Sequence, residues 1–238
     1  TTPIVPLTRE QEAKAREESL KSIPRVTIET SSLSGSISLK GARFDDLSLL
    51  RYREKADPKS PLVSLFSPAD APYPYFAEVG WSGQDSSIKL PDRDSVWTLE
   101  KDGPLTPRAP VVLLHDNGQG LHFRRTISVD DDYMLTVMDE VENRTQQEIT
   151  VYPYARLYRY GTPKIEGFYI QHEGLIGVLG ENGLTEITYY DVQKEGGSQR
   201  REGITGGWLG ITDKYWAAAL IPDQTATYTG ALRLAAPK

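Results

Sequence analysis

The chain has 238 residues, 38% hydrophobic and 25% charged, a globular composition long enough for one large core or two smaller ones. Its 33 acidic and 27 basic residues give a formal net charge of -6, which argues against a nucleic-acid partner, since displacing counterions from phosphates needs clustered Lys and Arg. Cysteine is absent, which excludes disulfides, thiolate metal sites and thiol nucleophiles, and no apolar run approaches the ~18 residues of a membrane-spanning helix.

The chain opens on a polar stretch, Pro6 to Ser22, that reads as a helix or linker: Thr8 and Gln11 stand at capping-box spacing, and Glu10 precedes Lys14 by one helical turn. With no apolar stripe it has little to gain from docking, and a solvated spacer is expected. Residues 1–24 are accordingly assigned to this lead-in and residues 25–238 to one β domain.

From Arg25 the hydrophobic period changes to two, with Val26 and Ile28 on one face and Ile37 and Leu39 resuming after a break at Ser34-Gly35. Leu62 to Phe66, Tyr75 to Trp81, Val96 to Leu99 and Val111 to His115 follow, separated by turns rich in Pro and Gly. The clearest hairpin alternates Leu121, Phe123, Ile127 and Val129 with His122, Arg124, Thr126 and Ser128, turns through Asp130-Asp131-Asp132, and returns along Leu135, Val137 and Val141. A tyrosine-rich strand runs from Ile149 to Tyr160. Shorter strands are expected at Phe168 to His172, Leu175 to Leu179, Leu184 to Tyr189, Trp208 to Ile211, Trp216 to Ile221 and Thr227 to Leu234. Roughly fifteen or more strands with no internal repeat predict an all-β sandwich of two large, mostly antiparallel sheets. Trp208, Ile211, Trp216 and Leu220 read as its core, too apolar to leave in water.

Catalytic chemistry finds little purchase. His115, His122 and His172 have no second histidine or carboxylate at a ligand or acid-base spacing, and structural or solvent-facing roles are expected for all three. The Asp130-Asp131-Asp132 run lacks the glycine bend and spread oxygens of a calcium loop and reads as a turn. Gly118-Gln119-Gly120 and Gly206-Gly207 match no phosphate loop. Thirteen tyrosines and four tryptophans could line a sugar or peptide groove, but the same residues fill large β-cores. No catalytic residue, metal ligand or cofactor is assigned.

The segment Gly206-Gly207-Trp208-Leu209-Gly210-Ile211-Thr212-Asp213-Lys214-Tyr215-Trp216, running on through Ala217 to Pro222, resembles the late part of the large periplasmic domain of YidC-type insertases. Ser34 to Arg43 with Asp45-Asp46-Leu47, Tyr75 to Trp81, and Phe123 to Tyr133 resemble earlier segments in family order, so the likeness covers Arg25 to the end. It implies a galactose-mutarotase-like β-supersandwich at the periplasmic face of the bacterial inner membrane, excised from a multi-pass protein whose membrane helices do the insertion. The domain itself would be non-catalytic and would contact partners: SecD, SecF and the Sec translocon, with nascent inner-membrane proteins engaged by the whole protein. No small-molecule substrate is implied. The alternative, from the fold relatives, is a carbohydrate-binding module or a mutarotase-like sugar enzyme with a histidine acid and a carboxylate base.

The partner surface is placed between Phe168 and Arg201, where aromatic residues alternate abruptly with polar loops, and Tyr169, Leu184, Tyr189 and Tyr190 are its candidates. Tyrosine supplies large contact area and a polar tip at low entropic cost. The competing reading is a sheet edge shielded by a charged loop, Lys194 to Glu202.

Overall fold

The computed structural model describes residues 9–161, 172–195, 198–213 and 216–234. It divides into two compact units, Thr1–Tyr160 and Gly161–Lys238. Tyr169, most of the run from Phe168 to His172, and the Lys214-Tyr215 pair lie outside the described residues.

The first unit begins with α1 (Arg9–Lys21), followed by β1 (Arg25–Glu29), β2 (Leu33–Ser38), β3 (Arg43–Arg53), β4 (Leu62–Phe66) and β5 (Tyr75–Gly83). Next come β6 (Thr98–Leu99), β7 (Val111–Asp116), β8 (Leu121–Val129), β9 (Leu135–Asn143) and β10 (Val151–Arg159). Among the described residues these make a six-stranded sheet in the order β1-β2-β3-β5-β10, with β4 beside β3, and a four-stranded sheet β6-β7-β8-β9. All the strand pairs are antiparallel, as expected for an all-β sandwich.

The core of this unit lies between its sheets. Trp81 on β5 meets Phe123 on β8 at 4.9 Å between ring centroids and stacks on Trp97 at 6.1 Å. Ile37, Leu105, Leu113, Leu121 and Ile127 are fully buried around them, removing apolar surface from water. The period-two reading of the central hairpin holds in register: Ile127 faces Val137 and Val129 faces Leu135. Its turn is built by Asp130, whose Oδ1 accepts from the backbone N–H of Asp132 at 2.7 Å and of Met134 at 2.9 Å. Asp131 Oδ1 accepts from the Ser31 backbone and hydroxyl at 3.2 and 2.8 Å, and these hydrogen bonds hold its carboxyl below the usual range.

Two expectations for this unit are corrected. Ser34-Gly35 does not break a strand but lies inside β2, where Gly35 has φ 146° and opposes Leu47 of β3. And α1 is not simply solvated: Glu12, Ala15, Arg16, Ser19 and Leu20 are half-buried along one face, and Arg16 hydrogen-bonds to Asp46. A polar face can dock through a single well-placed charge, which hydrophobic periodicity does not register.

The second unit holds β11 (Gly174–Leu179), β12 (Leu184–Thr188), α2 (Tyr189–Glu195), β13 (Gln199–Thr205), β14 (Gly207–Thr212), β15 (Ala217–Leu220) and β16 (Thr227–Leu232). Its sheets are β12-β11-β14-β15 and the ribbon β13-β16. Ile187, Val192 and Leu232 form a small buried cluster against Leu175 and Leu209. Of the four residues expected as core here, Ile211 is buried, whereas Trp208, Trp216 and Leu220 are half-buried. Truncating Trp216 should therefore cost less than the ~3–5 kcal/mol of a fully buried tryptophan.

Candidate partner-binding site

β12 is the edge of its sheet and, among the described residues, pairs only with β11. Its residues alternate: Ile187 is buried against Val192 and Leu232, whereas Leu184, Glu186 and Thr188 face water. The strand gives way to α2 at Thr188, whose hydroxyl accepts from the Asp191 backbone N–H at 3.1 Å and donates to the Asp191 carboxylate at 2.6 Å. This is an N-cap, and it converts the expected strand end at Tyr189 into the first residue of a helix.

The cap sorts the candidate residues. Tyr189 is half-buried and its hydroxyl donates to the Thr212 carbonyl at 3.2 Å, which ties α2 to β14. Tyr190, one position on, is 60% exposed, with the Lys194 ammonium 4.9 Å from its ring centroid. Leu184, at the other end of β12, is 56% exposed. Leu184 on β12 and Tyr190 on α2 are thus open to a partner, while Tyr189 serves the fold. Of the segment expected to shield this edge, Lys194 lies in α2 and Gln199 to Glu202 in β13 (Gln199–Thr205), which pairs with β16 through a bulge between Arg201 and Ile204. Charge content suggested a loop, but the cross-strand partner lies more than twenty residues downstream, beyond any local pattern.

The sites where chemistry could have been are occupied structurally. His115 Nδ1 donates to the Val96 carbonyl at 3.0 Å and its ring packs 5.5 Å from Trp97. His172 Nε2 donates to the Leu175 carbonyl at 3.1 Å. His122 Nδ1 lies 3.3 Å from Asp116 Oδ2, a cross-strand pair on the exposed face of the second sheet of the first unit. A narrow cleft in that unit is lined by Gly41, Glu78, Trp81, Arg93, Trp97 and Tyr154, among others, and none of its lining residues is a histidine. Glu78 there is committed to Arg156 and to Arg43, 3.6 Å away. Burial pushes the Tyr154 hydroxyl up from its ordinary value, keeping it protonated. Among the described residues no group of three or more His, Asp or Glu side chains could hold a metal ion, and no helix is long and apolar enough to cross a membrane.

Sequence reasoning passed over one residue of consequence. Arg125 shares the parity of Leu121, Phe123 and Ile127 and is the charged member of the core face of β8, at 0% exposure. Its guanidinium holds Asp139 through Nε at 2.7 Å and Nη2 at 3.0 Å, donates to the Val79 carbonyl at 2.9 Å, and sits 5.1 Å from the ring centroids of both Trp81 and Trp97. Its position in the alternation was the available signal.

A family model described as the YidC periplasmic domain matches residues 25–235, spanning both units. Among curated proteins, the chain is 54% identical over 227 residues to the membrane protein insertase YidC of Methylobacterium nodulans, covering 92% of this chain and 37% of that protein. It is 51% identical over 213 residues to the protein of the same name from Nitrobacter hamburgensis, covering 89% and 35%. For that of Sinorhizobium medicae the figures are 46% over 216 residues, 91% and 36%. The chain thus spans little more than a third of the length of these relatives.

Proposed function

Because this chain belongs to the YidC periplasmic domain family, we propose that it serves as the non-catalytic, periplasmic part of an inner-membrane insertase and acts by contact with partner proteins. The observation that carries this reading is the family match across both units, and the chemistry above is consistent with it, since each histidine is engaged in a structural contact. By resemblance the partners are SecD and SecF of the Sec translocon, with nascent inner-membrane proteins as the substrates of the whole protein.

The contact surface is assigned to the edge of the second unit's four-stranded sheet and the adjoining helix, with Leu184 and Tyr190 as its exposed anchors and Tyr189 tying α2 to β14. Leu184 on the edge strand β12 and Tyr190 at the start of α2 are large groups held in water beside an unpaired strand edge. The test is a double substitution, Leu184→Glu with Tyr190→Ala, in the full-length protein. Loss of SecD and SecF on pull-down, at an unchanged melting temperature of the isolated chain, is expected. Retained binding would move the interface elsewhere. Tyr189→Ala should behave differently, costing the isolated chain on the order of 1–3 kcal/mol through the lost Thr212 contact.

A further inference from the structure

α1 has charges that suit the helix dipole and a Lys21–Glu17 pair one turn apart, but no apolar stripe to hold it against the sheet. Of its five half-buried positions only Ala15 and Leu20 are apolar, so docking removes little apolar surface from water. A free helix of 13 residues is at the margin of stability in water, so α1 exists as a helix chiefly because something fixes it. Arg16 ties it to the sheet: its Nη2 donates to the Asp46 carboxylate and, at 3.3 Å, to the Phe66 carbonyl at the end of β4.

The seat is built into the sheet independently of its occupant. Asp46 Oδ2 accepts from the Ser36 hydroxyl at 2.6 Å, and the same hydroxyl accepts from Arg25 Nε at 2.7 Å. Arg25 in turn pairs with Asp45. The carboxylate that receives Arg16 is thus oriented by β1 and β2 before α1 arrives. The occupant fits less well: Arg16 Nε is buried and finds no hydrogen-bond partner among the described residues, a cost borne only by the docked state. With 26% of the Arg16 side chain still exposed, the ion pair is also open to screening by salt.

We propose that α1 is a releasable strap, latched to the sheet by the seating of Arg16 on Asp46 and the Phe66 carbonyl. The docked state dominates by a margin that loss of the Arg16 contact can overturn, since that charge-assisted contact and a thin apolar face are set against an unsatisfied N–H and the ordering of the whole segment. Release changes reach. Thirteen residues span about 20 Å as a helix and up to roughly 45 Å extended, so the distance available between Arg9 and β1 more than doubles. The strap therefore sets how far the chain ahead of Arg9 can stand from the sheet.

The full chain tests this directly, because it has no cysteine of its own and labels go only where they are placed. Spin labels at Lys14→Cys and Glu29→Cys should give a narrow distance distribution in the otherwise unaltered chain. Adding Arg16→Ala should broaden it and raise amide exchange across residues 13–21 by about tenfold or more, with exchange in β2 and β3 unchanged. Arg16→Lys should fall between the two, because an ammonium cannot reproduce the guanidinium's fork. Salt at about 1 M should move the unaltered chain toward the Arg16→Ala behaviour. An Arg16→Ala chain that keeps the narrow distribution and slow exchange would overturn the proposal, as would a parent chain whose α1 amides already exchange like those of the free peptide.

Discussion

Arg125 illustrates how one charged residue can organise a β-sandwich core. Its buried guanidinium is satisfied by a forked pair with Asp139, by the Val79 carbonyl and by two indole faces, so its burial is tolerated because every side of it is occupied. Arg125→Ala leaves Asp139 without its partner and opens a void beside the stacked Trp81 and Trp97, and should cost about 3–5 kcal/mol in urea denaturation. Asp45 makes the opposite case. Burial pushes its carboxyl above the ordinary aspartate value of 3.8, and the pair with Arg25 only partly offsets that cost. The folded state therefore holds a proton that the unfolded chain releases near 3.8, so Asp45's contribution to stability is present below that pH and is lost as pH rises through the folded value. Carbon-13 NMR of the Asp45 carboxyl should give a midpoint above 3.8. Over that window stability should fall with rising pH by a component that Asp45→Asn lacks, and a midpoint at or below 3.8 would sink the idea.

Among elements, what could be read from the sequence was what depends on neighbours along the chain. The β8-β9 hairpin was legible because alternation and a turn-forming aspartate run agree, and β4 because Leu62 to Phe66 is apolar between proline-marked breaks. β3 was not, since Arg43-Phe44-Asp45-Asp46-Leu47 puts two carboxylates into a strand interior, and the partners that accommodate them, Arg25 and Ser36, lie on β1 and β2. The same long-range closeness explains Gly35, read as a break. A Cβ there would lie 2.0 Å from the Asp46 carbonyl oxygen, and the backbone sits at φ 146°, a conformation that side chains disfavour. Gly35→Ala should therefore force β2 from β3 and cost about 1–3 kcal/mol or more, visible as a lowered urea midpoint with loss of amide protection in both strands. Of the candidate site, the aromatic content was legible and its division was not. The Thr188 cap turns Tyr189 inward and Tyr190 outward, and a cap three residues long has no hydrophobic period to announce it.

For the molecule as a whole, the question that sequence left open was whether a fold of this class converts a sugar or only touches a partner. A ring-opening enzyme needs a histidine and a carboxylate on opposite sides of one concave site, each within about 3 Å of the proton it moves. His115 and His172 spend their donors on backbone carbonyls, which removes them as acids without unpairing a buried group. His122 has a carboxylate at 3.3 Å, but Asp116 is its direct neighbour across the strand pair, and both project from the open face of a sheet where water is not excluded. The cleft of the first unit has the reverse deficiency, with Glu78 and Asp92 on its wall and no histidine among its lining residues. Glu78 is drawn into ion pairs with Arg43 and Arg156, and Asp92 is hydrogen-bonded by Ser95, so neither is poised to take a proton from a guest. The isolated chain should accordingly leave the rate of galactose or glucose anomerisation, followed by polarimetry, at the buffer value across neutral pH. An acceleration that His122→Ala or Asp116→Asn abolishes, with the fold intact by circular dichroism, would show that the surface pair works as an acid and base and would return the chain to the sugar enzymes.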